Sequence, residues 1–230
     1  MSVVSTDSLF DKSAREFAGS TDAAIARNEY KRGEMFVSAV KRAIPTGGDV
    51  LDYGCGPGRI ARLIALEGYR VHALDPSAGM LAEARRQDIS SLKLDFDQLN
   101  GNGETLGSSK YDGIVCSSTI EYVADAAALL SHFHRALRPN GSLIISYANR
   151  RSLWRKYAEI RFPAAGHLKL QHNIWSYRQC EAILASAGFR VVSGPVFFEA
   201  APFDKRSWIR PLTSSPIIGL IGLVVAQRFD

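Results

Sequence analysis

The stretch Asp49-Val50-Leu51-Asp52-Tyr53-Gly54-Cys55-Gly56-Pro57-Gly58-Arg59 decides the fold of this 230-residue chain. Its apolar pair, Val50-Leu51, leads to the carboxylate of Asp52, a glycine-rich turn follows, and a helix is predicted to begin at Arg59. A turn this sharp favours glycine, because glycine adopts positive φ and leaves the backbone open to a ligand. A strand, a glycine turn and a helix in this order predict a doubly wound α/β sheet, in which ligands bind beyond the carboxyl ends of the strands.

The spacing of the glycines narrows the class of ligand. It is Gly54-x-Gly56-x-Gly58 rather than Gly-x-Gly-x-x-Gly, and Pro57 lacks an N–H group that could hold a phosphate. This disfavours a nicotinamide-dependent oxidoreductase, because a pyrophosphate needs free backbone N–H groups at the start of a helix. The second predicted strand ends at Asp75, whose carboxylate can accept hydrogen bonds from both hydroxyls of a ribose. These features predict a nucleoside ligand without pyrophosphate, with a cationic amino-acid part near Asp52.

Four further motifs follow the glycine stretch: Leu74-Asp75-Pro76-Ser77, Leu94-Asp95-Phe96-Asp97-Gln98-Leu99, Tyr111-Asp112-Gly113-Ile114-Val115-Cys116-Ser117-Ser118 and Ala136-Leu137-Arg138-Pro139-Asn140-Gly141-Ser142-Leu143. Together with the glycine stretch, and in this order, they resemble the motifs of the class I S-adenosylmethionine-dependent methyltransferases. The resemblance covers residues 45–147 well and residues 177–228 loosely. At Asn140 the family usually has glycine, but asparagine tolerates a left-handed turn.

The resemblance implies a Rossmann-like, seven-stranded sheet that is mostly parallel, with an antiparallel last strand and an N-terminal helical lid. It implies S-adenosyl-L-methionine as the cofactor and S-adenosyl-L-homocysteine as the product. At the end of a third strand predicted over residues 92–94, Asp95 and Phe96 would meet the adenine, with Asp97 as the alternative to Asp95. The cofactor-binding residues that it implies are Arg32, Asp52, Gly54, Gly56, Gly58, Asp75, Pro76, Asp95, Phe96 and Ser117.

The length suits one methyltransferase domain over residues 1–230, with residues 1–44 as a helical cap and residues 148–176 as a substrate-side insertion. The insertion is rich in arginine and aromatic residues, which suits an anionic or aromatic acceptor through ion pairs and stacking. The same pattern also fits an amphipathic helix whose Trp154 and Tyr157 pack on the domain. We therefore predict a small-molecule acceptor that is methylated on oxygen or nitrogen.

Methyl transfer from a sulfonium needs alignment more than a fixed catalytic dyad, because orientation alone can contribute about 7–11 kcal/mol. An oxygen nucleophile with a high pKa would also need a base, and His167 and His172 are the candidates, followed by Glu121. A non-catalytic, cofactor-binding regulatory or partner subunit on the same fold is the alternative function. The spacing of the three cysteines predicts no metal site.

Composition sets the remaining expectations. The net charge of +5 fits either a mildly basic surface or attraction to an anionic substrate or membrane face. No run of lysine and arginine is dense enough to predict nucleic-acid binding. The N-terminal residues lack an apolar signal core, and residues 216–226 are too short to span a bilayer. We expect no transmembrane segment, a reducing compartment and a cytoplasmic location, and the sequence leaves the oligomeric state open.

Overall fold

The computed structural model describes residues 23–86, 90–101, 103, 105–161, 170–198, 212–213, 216–217 and 219–229. The predicted base His167 and residues 1–22 of the N-terminal cap lie outside these residues. The helices are α1 (Ala23–Ala43), α2 (Arg59–Leu66), α3 (Ala78–Arg85), α4 (Ala126–Ala136), α5 (Leu153–Arg161) and α6 (Tyr177–Ser186). The strands are β1 (Asp49–Tyr53), β2 (Arg70–Asp75), β3 (Leu94–Gln98), β4 (Tyr111–Cys116), β5 (Leu137–Asn149), β6 (Ile174–Trp175), β7 (Phe189–Phe198), β8 (Leu212–Thr213) and β9 (Ile221–Arg228).

Strand β1 is the third strand of one sheet whose order is β3-β2-β1-β4-β5-β9-β7-β8, with β6 beside the end of β5. Strands β1 to β5 run parallel, whereas β9 is antiparallel to both β5 and β7. The chain leaves β1 toward β2 and later returns to β4 on the other side of β1. This reversal between β1 and β4 is the topological switch point at which ligands bind in such sheets. The predicted doubly wound sheet with an antiparallel last strand is therefore confirmed.

The sheet is covered by helices on both faces. Buried apolar residues of α4 and α6, such as Phe133 and Leu184, pack on one face of the sheet. Those of α1, α2 and α3, such as Phe36, Ile64 and Leu81, pack on the other face. In α4 the buried residues recur at helical spacing, so a single apolar stripe faces the sheet. This three-layer packing keeps the carboxyl ends of β1, β2 and β4 together at one open edge.

Local signals in the sequence account for several boundaries. The Ser77 hydroxyl accepts a hydrogen bond from the Met80 amide at 3.0 Å and thereby caps α3. Asn140 adopts a φ of 62° in the turn within β5, which confirms that it replaces glycine there. Gly68 follows α2 with a φ of 88°. No helix in the described part of the chain has the length and apolar character to cross a membrane.

Strand β3 differs from its prediction. It runs from Leu94 to Gln98, whereas the sequence suggested a strand that ends at Leu94. All five of its residues pair with β2, from Leu94 opposite Val71 to Gln98 opposite Asp75. Asp95, Asp97 and Gln98 are exposed, and the two carboxylates concealed the strand pattern in the sequence. The open end of β3 therefore lies at Leu99.

Candidate cofactor site

A cavity of about 650 Å³ lies at the carboxyl ends of β1, β2 and β4, at the switch point of the sheet. The glycine turn after β1 forms its floor, the turn after β2 forms one wall, and the turn after β4 forms the other. The residues that line it are Arg32, Asp52, Tyr53, Gly54, Cys55, Gly56, Pro57, Arg59, Ile60, Asp75, Pro76, Ser77, Met80, Leu99, Gly101, Ser117, Ser118, Thr119, Tyr122, Val123, Ala124 and His172.

Each of the three glycines in the turn has a positive φ, but their surroundings differ. A Cβ added at Gly54 would overlap the side chain of Thr119, and one at Gly58 would lie 2.6 Å from the Phe96 ring. At Gly56 an added Cβ would meet no atom within 4 Å. Gly54 and Gly58 thus allow close packing, whereas Gly56 leaves its backbone exposed to the cavity. Gly54 and Gly56 line the cavity, and Gly58 lies behind them against the core.

Asp75 closes the glycine turn from the neighbouring strand. Its Oδ2 accepts a hydrogen bond from the Gly56 amide at 2.7 Å, and its Oδ1 accepts one from the Ser77 amide at 2.9 Å. The side chain is buried and lines the cavity next to Pro76. Each carboxylate oxygen has two lone pairs and can accept a second hydrogen bond. The Asp75 carboxylate therefore both fixes the turn and presents acceptors to a ligand.

Asp52 is a buried carboxylate on the floor of the cavity, 1% exposed. Burial, followed by the nearby charge of Asp75, raises its pKa to about 7, which a backbone hydrogen bond from Ala61 partly opposes. Its Oδ2 has no hydrogen-bond partner among the described residues. A buried, unpartnered carboxylate oxygen is costly unless a positive or donating group meets it. The floor of the cavity is thus prepared for a cationic ligand.

The raised pKa of Asp52 predicts that the ligand-free protein loses stability as pH rises. The folded protein holds the Asp52 proton more tightly than the unfolded chain, so this stabilisation is complete below about pH 4 and disappears as pH passes about 7. Urea unfolding near pH 5 and near pH 8 measures the difference. We expect Asp52→Asn to reduce the decline by a few kcal/mol, and Asp95→Asn, an exposed control, to leave it unchanged. An identical decline in wild type and Asp52→Asn would contradict this assignment.

Arg32 and the turn after β4 form the wall opposite Asp75. Arg32 Nη1 donates to Ser118 Oγ at 3.4 Å, and its guanidinium carbon lies 5.8 Å from the centre of the Phe198 ring. Burial lowers the pKa of Arg32, and Glu121 and Tyr122 oppose this effect. The Ser117 hydroxyl is buried at the cavity and has no hydrogen-bond partner in the described ranges. The sequence suggested Arg32 and Ser117, and the structure brings them to the same cavity.

The structure does not bring Asp95 and Phe96 to the cavity. Both lie within β3 rather than after it, so their side chains point to opposite faces of the sheet. Asp95 is exposed, and Phe96 is 6% exposed and packs beneath Gly58. The alternative, Asp97, contacts His72 at 3.0 Å. In this segment the cavity is lined instead by Leu99 and Gly101, which follow the true end of the strand.

Beyond the turn after β4, a short 3₁₀ helix over Ile120–Tyr122 forms the outer end of the cavity. Its residue Glu121 is 2% exposed, and burial raises its pKa to about 7. The Glu121 carbonyl accepts hydrogen bonds from the His172 and Asn173 amides at 2.6 and 3.1 Å. Asn173 Nδ2 also donates to the carbonyls of Ile120 and Val123. These bonds bring His172 to the cavity from a segment about 50 residues further along the chain.

Sequence reasoning missed several residues of this outer end. Tyr122 lines the cavity, accepts a hydrogen bond from Gln171 Nε2 at 3.4 Å, and has a pKa raised to about 12, mainly by burial. Ser118 adopts a positive φ of 50°, an uncommon conformation for serine, and donates its amide to Ser146 Oγ at 2.8 Å. The sequence placed Ser118 at the open end of the fourth strand, beside Ser117, but gave no signal for its left-handed conformation. The contact between Gln171 and Tyr122 had no sequence signal.

A family model described as a methyltransferase domain matches residues 25–194, which is most of the chain and includes every strand that borders the cavity. This chain belongs to the class I S-adenosylmethionine-dependent methyltransferases. Its fold is similar to solved structures of such proteins, although sequence identity to them is low. One is magnesium protoporphyrin IX methyltransferase from Synechocystis PCC 6803 with bound S-adenosylhomocysteine, which is 20% identical with a TM-score of 0.70. That comparison covers 97% of this chain and 96% of the other.

Two curated relatives resemble part of the methyltransferase. Malonyl-[acyl-carrier protein] O-methyltransferase from Yersinia pestis is 38% identical over 103 residues, which cover 44% of this chain and 37% of that protein. Ubiquinone biosynthesis O-methyltransferase from Azotobacter vinelandii is 32% identical over 107 residues, which cover 45% of this chain and 46% of that protein. The matches thus span less than half of the length of these relatives.

The cavity of the methyltransferase fits the cofactor of its family. The unpartnered Oδ2 of Asp52 suits the cationic amino-acid part, and the Asp75 carboxylate suits the ribose hydroxyls. The open space at Gly56 lets a ligand approach the backbone. Pro57, which lines the cavity, offers no N–H group to a phosphate. The Asp75 carboxylate and the open Gly56 backbone fit any adenosine, whereas the unpartnered Asp52 oxygen and Pro57 favour an adenosine with a positively charged sulfur over a dinucleotide.

Proposed function

We propose that this methyltransferase transfers a methyl group from S-adenosylmethionine to oxygen or nitrogen of a small acceptor that is anionic or aromatic. The observation that carries the proposal is the buried Asp52 oxygen without a hydrogen-bond partner in the described part of the chain, next to the open backbone of Gly56. The proposal treats residues 1–230 as one methyltransferase domain, with residues 1–44 as its cap and residues 148–176 as its acceptor-side insertion. The cytoplasmic location expected from the sequence stays a prediction.

The roles of the residues follow from their positions. We assign Arg32 to the carboxylate of the cofactor, Asp52 to its cationic end, Asp75 and Pro76 to the ribose, and Ser117 to the side facing the acceptor. When bound, S-adenosylmethionine supplies a methyl group on a positively charged sulfur, which is already an electrophile. The chain must therefore chiefly hold the acceptor atom in line with the methyl group and the sulfur, and exclude water. Such orientation is the larger part of this catalysis.

An anionic acceptor is favoured by an unsatisfied arginine donor behind the outer end of the cavity. Arg155 is 5% exposed, and its Nε has no hydrogen-bond partner among the residues that the structure describes. The charges of Arg155, Arg32 and Glu121 all act on Tyr122, which lines the cavity. Arg155 Nη1 also lies 3.5 Å from Glu159 Oε1, so these two guanidinium groups face two carboxylates. The group left to meet an anion is the buried Nε of Arg155, which lacks a hydrogen bond among the described residues. An acceptor with a carboxylate or phosphate would be attracted there.

Binding and turnover are tested separately. We expect calorimetric titration to show that S-adenosylhomocysteine binds and that NAD does not. Pro57 has no N–H group, and the other amides of residues 54–58 already donate to oxygens of the protein, so none is free for a pyrophosphate. Methyl transfer is then measured with radiolabelled S-adenosylmethionine on a panel of small acids, phenols and amines. Binding of NAD in preference to S-adenosylhomocysteine would overturn the proposal. Binding of S-adenosylhomocysteine without methyl transfer to any acceptor of the panel would favour the alternative, a non-catalytic subunit that binds the cofactor.

His172 is proposed as the base for an oxygen acceptor, since it lines the cavity beside Tyr122. We expect His172→Gln to lower kcat about 100-fold while S-adenosylhomocysteine affinity stays constant, because general-base catalysis contributes roughly 10²- to 10⁴-fold. The control is His132→Gln, on α4 and away from the cavity, which is expected to retain full kcat. An unchanged kcat in His172→Gln eliminates this base and leaves His167 or Glu121 as candidates.

A further inference from the structure

Helix α5 presents a row of exposed apolar side chains at one edge of the domain. Leu153, Tyr157 and Ile160 are 59%, 44% and 80% exposed. Their spacing of four and three residues places them on one face of the helix. Ile217, 47% exposed, extends the row, because its carbonyl accepts a hydrogen bond from the Leu153 amide at 2.9 Å. We call these four residues the α5 patch.

Positive charge is concentrated around the α5 patch. Residues 150–161 contain five basic residues and one acidic residue, a net charge of +4 within a chain whose total is +5. The other 218 residues together therefore carry only +1. Arg150, Arg151 and Lys156 are exposed beside the patch. Such a difference in charge between one short segment and the rest of a chain is typical of a segment that binds an anionic surface.

We propose that the α5 patch docks on the surface of a lipid bilayer that contains anionic headgroups. A helix with exposed apolar residues on one face and basic residues beside them lies in the interface of a membrane, with its apolar side chains at the acyl boundary. The basic side chains meet the anionic headgroups at the same time. A second copy of the chain is a poorer occupant, because two such segments facing each other would repel.

The position of α5 gives this docking a defined orientation. Helix α5 follows β5, whose carboxyl end lies at the same edge of the parallel sheet as the ends of β1 and β4. The charge of Arg155 on α5 acts on Glu121 and Tyr122 at the outer end of the cavity. Docking through the α5 patch therefore turns the cavity edge, and not the opposite edge of the sheet, toward the bilayer.

Co-sedimentation of the full chain with vesicles tests the proposal. We expect binding to vesicles of phosphatidylcholine mixed with phosphatidylglycerol, little binding to pure phosphatidylcholine, and weaker binding at high salt. Ile160→Ser and Leu153→Ser are each expected to reduce the partition coefficient about tenfold. Leu66→Ser is the matched control, because Leu66 is 67% exposed on α2, and it is expected to bind like wild type.

Charge variants distinguish an effect of the basic residues beside the α5 patch from an effect of the net charge of the whole protein. We expect the double variant Arg150→Glu/Arg151→Glu to lose vesicle binding, whereas Lys93→Glu/Arg190→Glu, with the same change in net charge at exposed positions elsewhere, retains most of it. No binding to the anionic vesicles overturns the proposal. Equal losses in both double variants, or in Leu66→Ser and Ile160→Ser, also overturn it.

Self-association and cofactor binding are each distinguished from lipid docking by one further measurement. A self-associated wild type that Ile160→Ser converts to monomer, without vesicle binding, would assign the patch to a second copy and refute docking on lipid. Titration of every variant with S-adenosylhomocysteine separates this proposal from the proposed function. If the protein binds S-adenosylhomocysteine but not the vesicles, only the docking is refuted. If it binds the vesicles but not S-adenosylhomocysteine, only the proposed function is refuted.

Discussion

Replacing Asp75 by asparagine is expected to weaken S-adenosylhomocysteine binding about 100-fold. Both carboxylate oxygens accept backbone amides, from Gly56 at 2.7 Å and from Ser77 at 2.9 Å. Asparagine has one acceptor oxygen, so one of these amides would face an NH₂ group. The substitution also removes a charged acceptor for the ribose, and hydrogen bonds to charged groups contribute roughly 1.5–3 kcal/mol each. Isothermal titration of wild type and variant measures the ratio of dissociation constants.

Asp95→Asn provides the matched control for Asp75→Asn. Asp95 lies on β3, the strand next to β2, and is exposed. Because surface substitutions usually change free energies by less than about 0.5 kcal/mol, its affinity should stay within roughly twofold of wild type. If Asp95→Asn lost affinity as strongly as Asp75→Asn, the adenine role suggested by the sequence would be supported and the position of β3 contradicted. An unchanged affinity in Asp75→Asn would refute the ribose assignment.

The centre of the fold could be predicted because its determinants are local. The strand, the glycine turn and the helix are contiguous over residues 49–66, and each step has its own signal. Asp75 was predictable for the same reason, since it follows an apolar strand and precedes the cap residue Ser77. The parallel order of the strands then places the Asp52 and Asp75 segments at neighbouring positions.

The error at β3 arose because exposed carboxylates interrupt its short apolar pattern, in which only Leu94 and Phe96 are buried. Asp95, Asp97 and Gln98 are all exposed, so the strand appeared to end at Leu94. Strand length decides which side chains reach the cavity, and four additional strand residues moved the open end to Leu99. Only the pairing with β2 fixes that length, and pairing is not visible in a single segment.

The outer end of the cavity could not be predicted because it is assembled from distant segments. The His172 and Asn173 amides bind the Glu121 carbonyl across about 50 residues of sequence, and no local pattern encodes those bonds. Helix α5 was one of two alternatives that the sequence left open for the insertion. The structure forms the helix but leaves Tyr157 at 44% exposure, so the expected packing of that residue on the domain is only partial.

A substitution in the glycine turn, at Gly54, is the second change for which we expect a large effect. Gly54→Ala is expected to lower the free energy of unfolding by about 2–5 kcal/mol, because a left-handed residue with a Cβ costs roughly 1–2 kcal/mol and overpacking adds roughly 1–3 kcal/mol. Its φ is 74°, and the added Cβ would overlap Thr119 and lie 2.8 Å from the Cβ of that residue. Urea unfolding of the ligand-free protein measures the loss. A destabilisation below about 1 kcal/mol would contradict the close packing of Gly54 against Thr119.

Gly56→Ala separates the role in binding from the role in folding. Its φ is 54° and its Cβ would meet no atom of the protein within 4 Å, as is also true of Gly47, which has a φ of 75° and lies outside the cavity. Both alanine variants should therefore lose only roughly 1–2 kcal/mol of stability, which is the cost of a left-handed conformation for a residue with a Cβ. The methyl group of Gly56→Ala enters the cavity, so S-adenosylhomocysteine affinity should fall about 10- to 100-fold there and stay unchanged in Gly47→Ala. Equal affinities in the two variants would place the ligand elsewhere, because of these two positions only residue 56 borders the cavity.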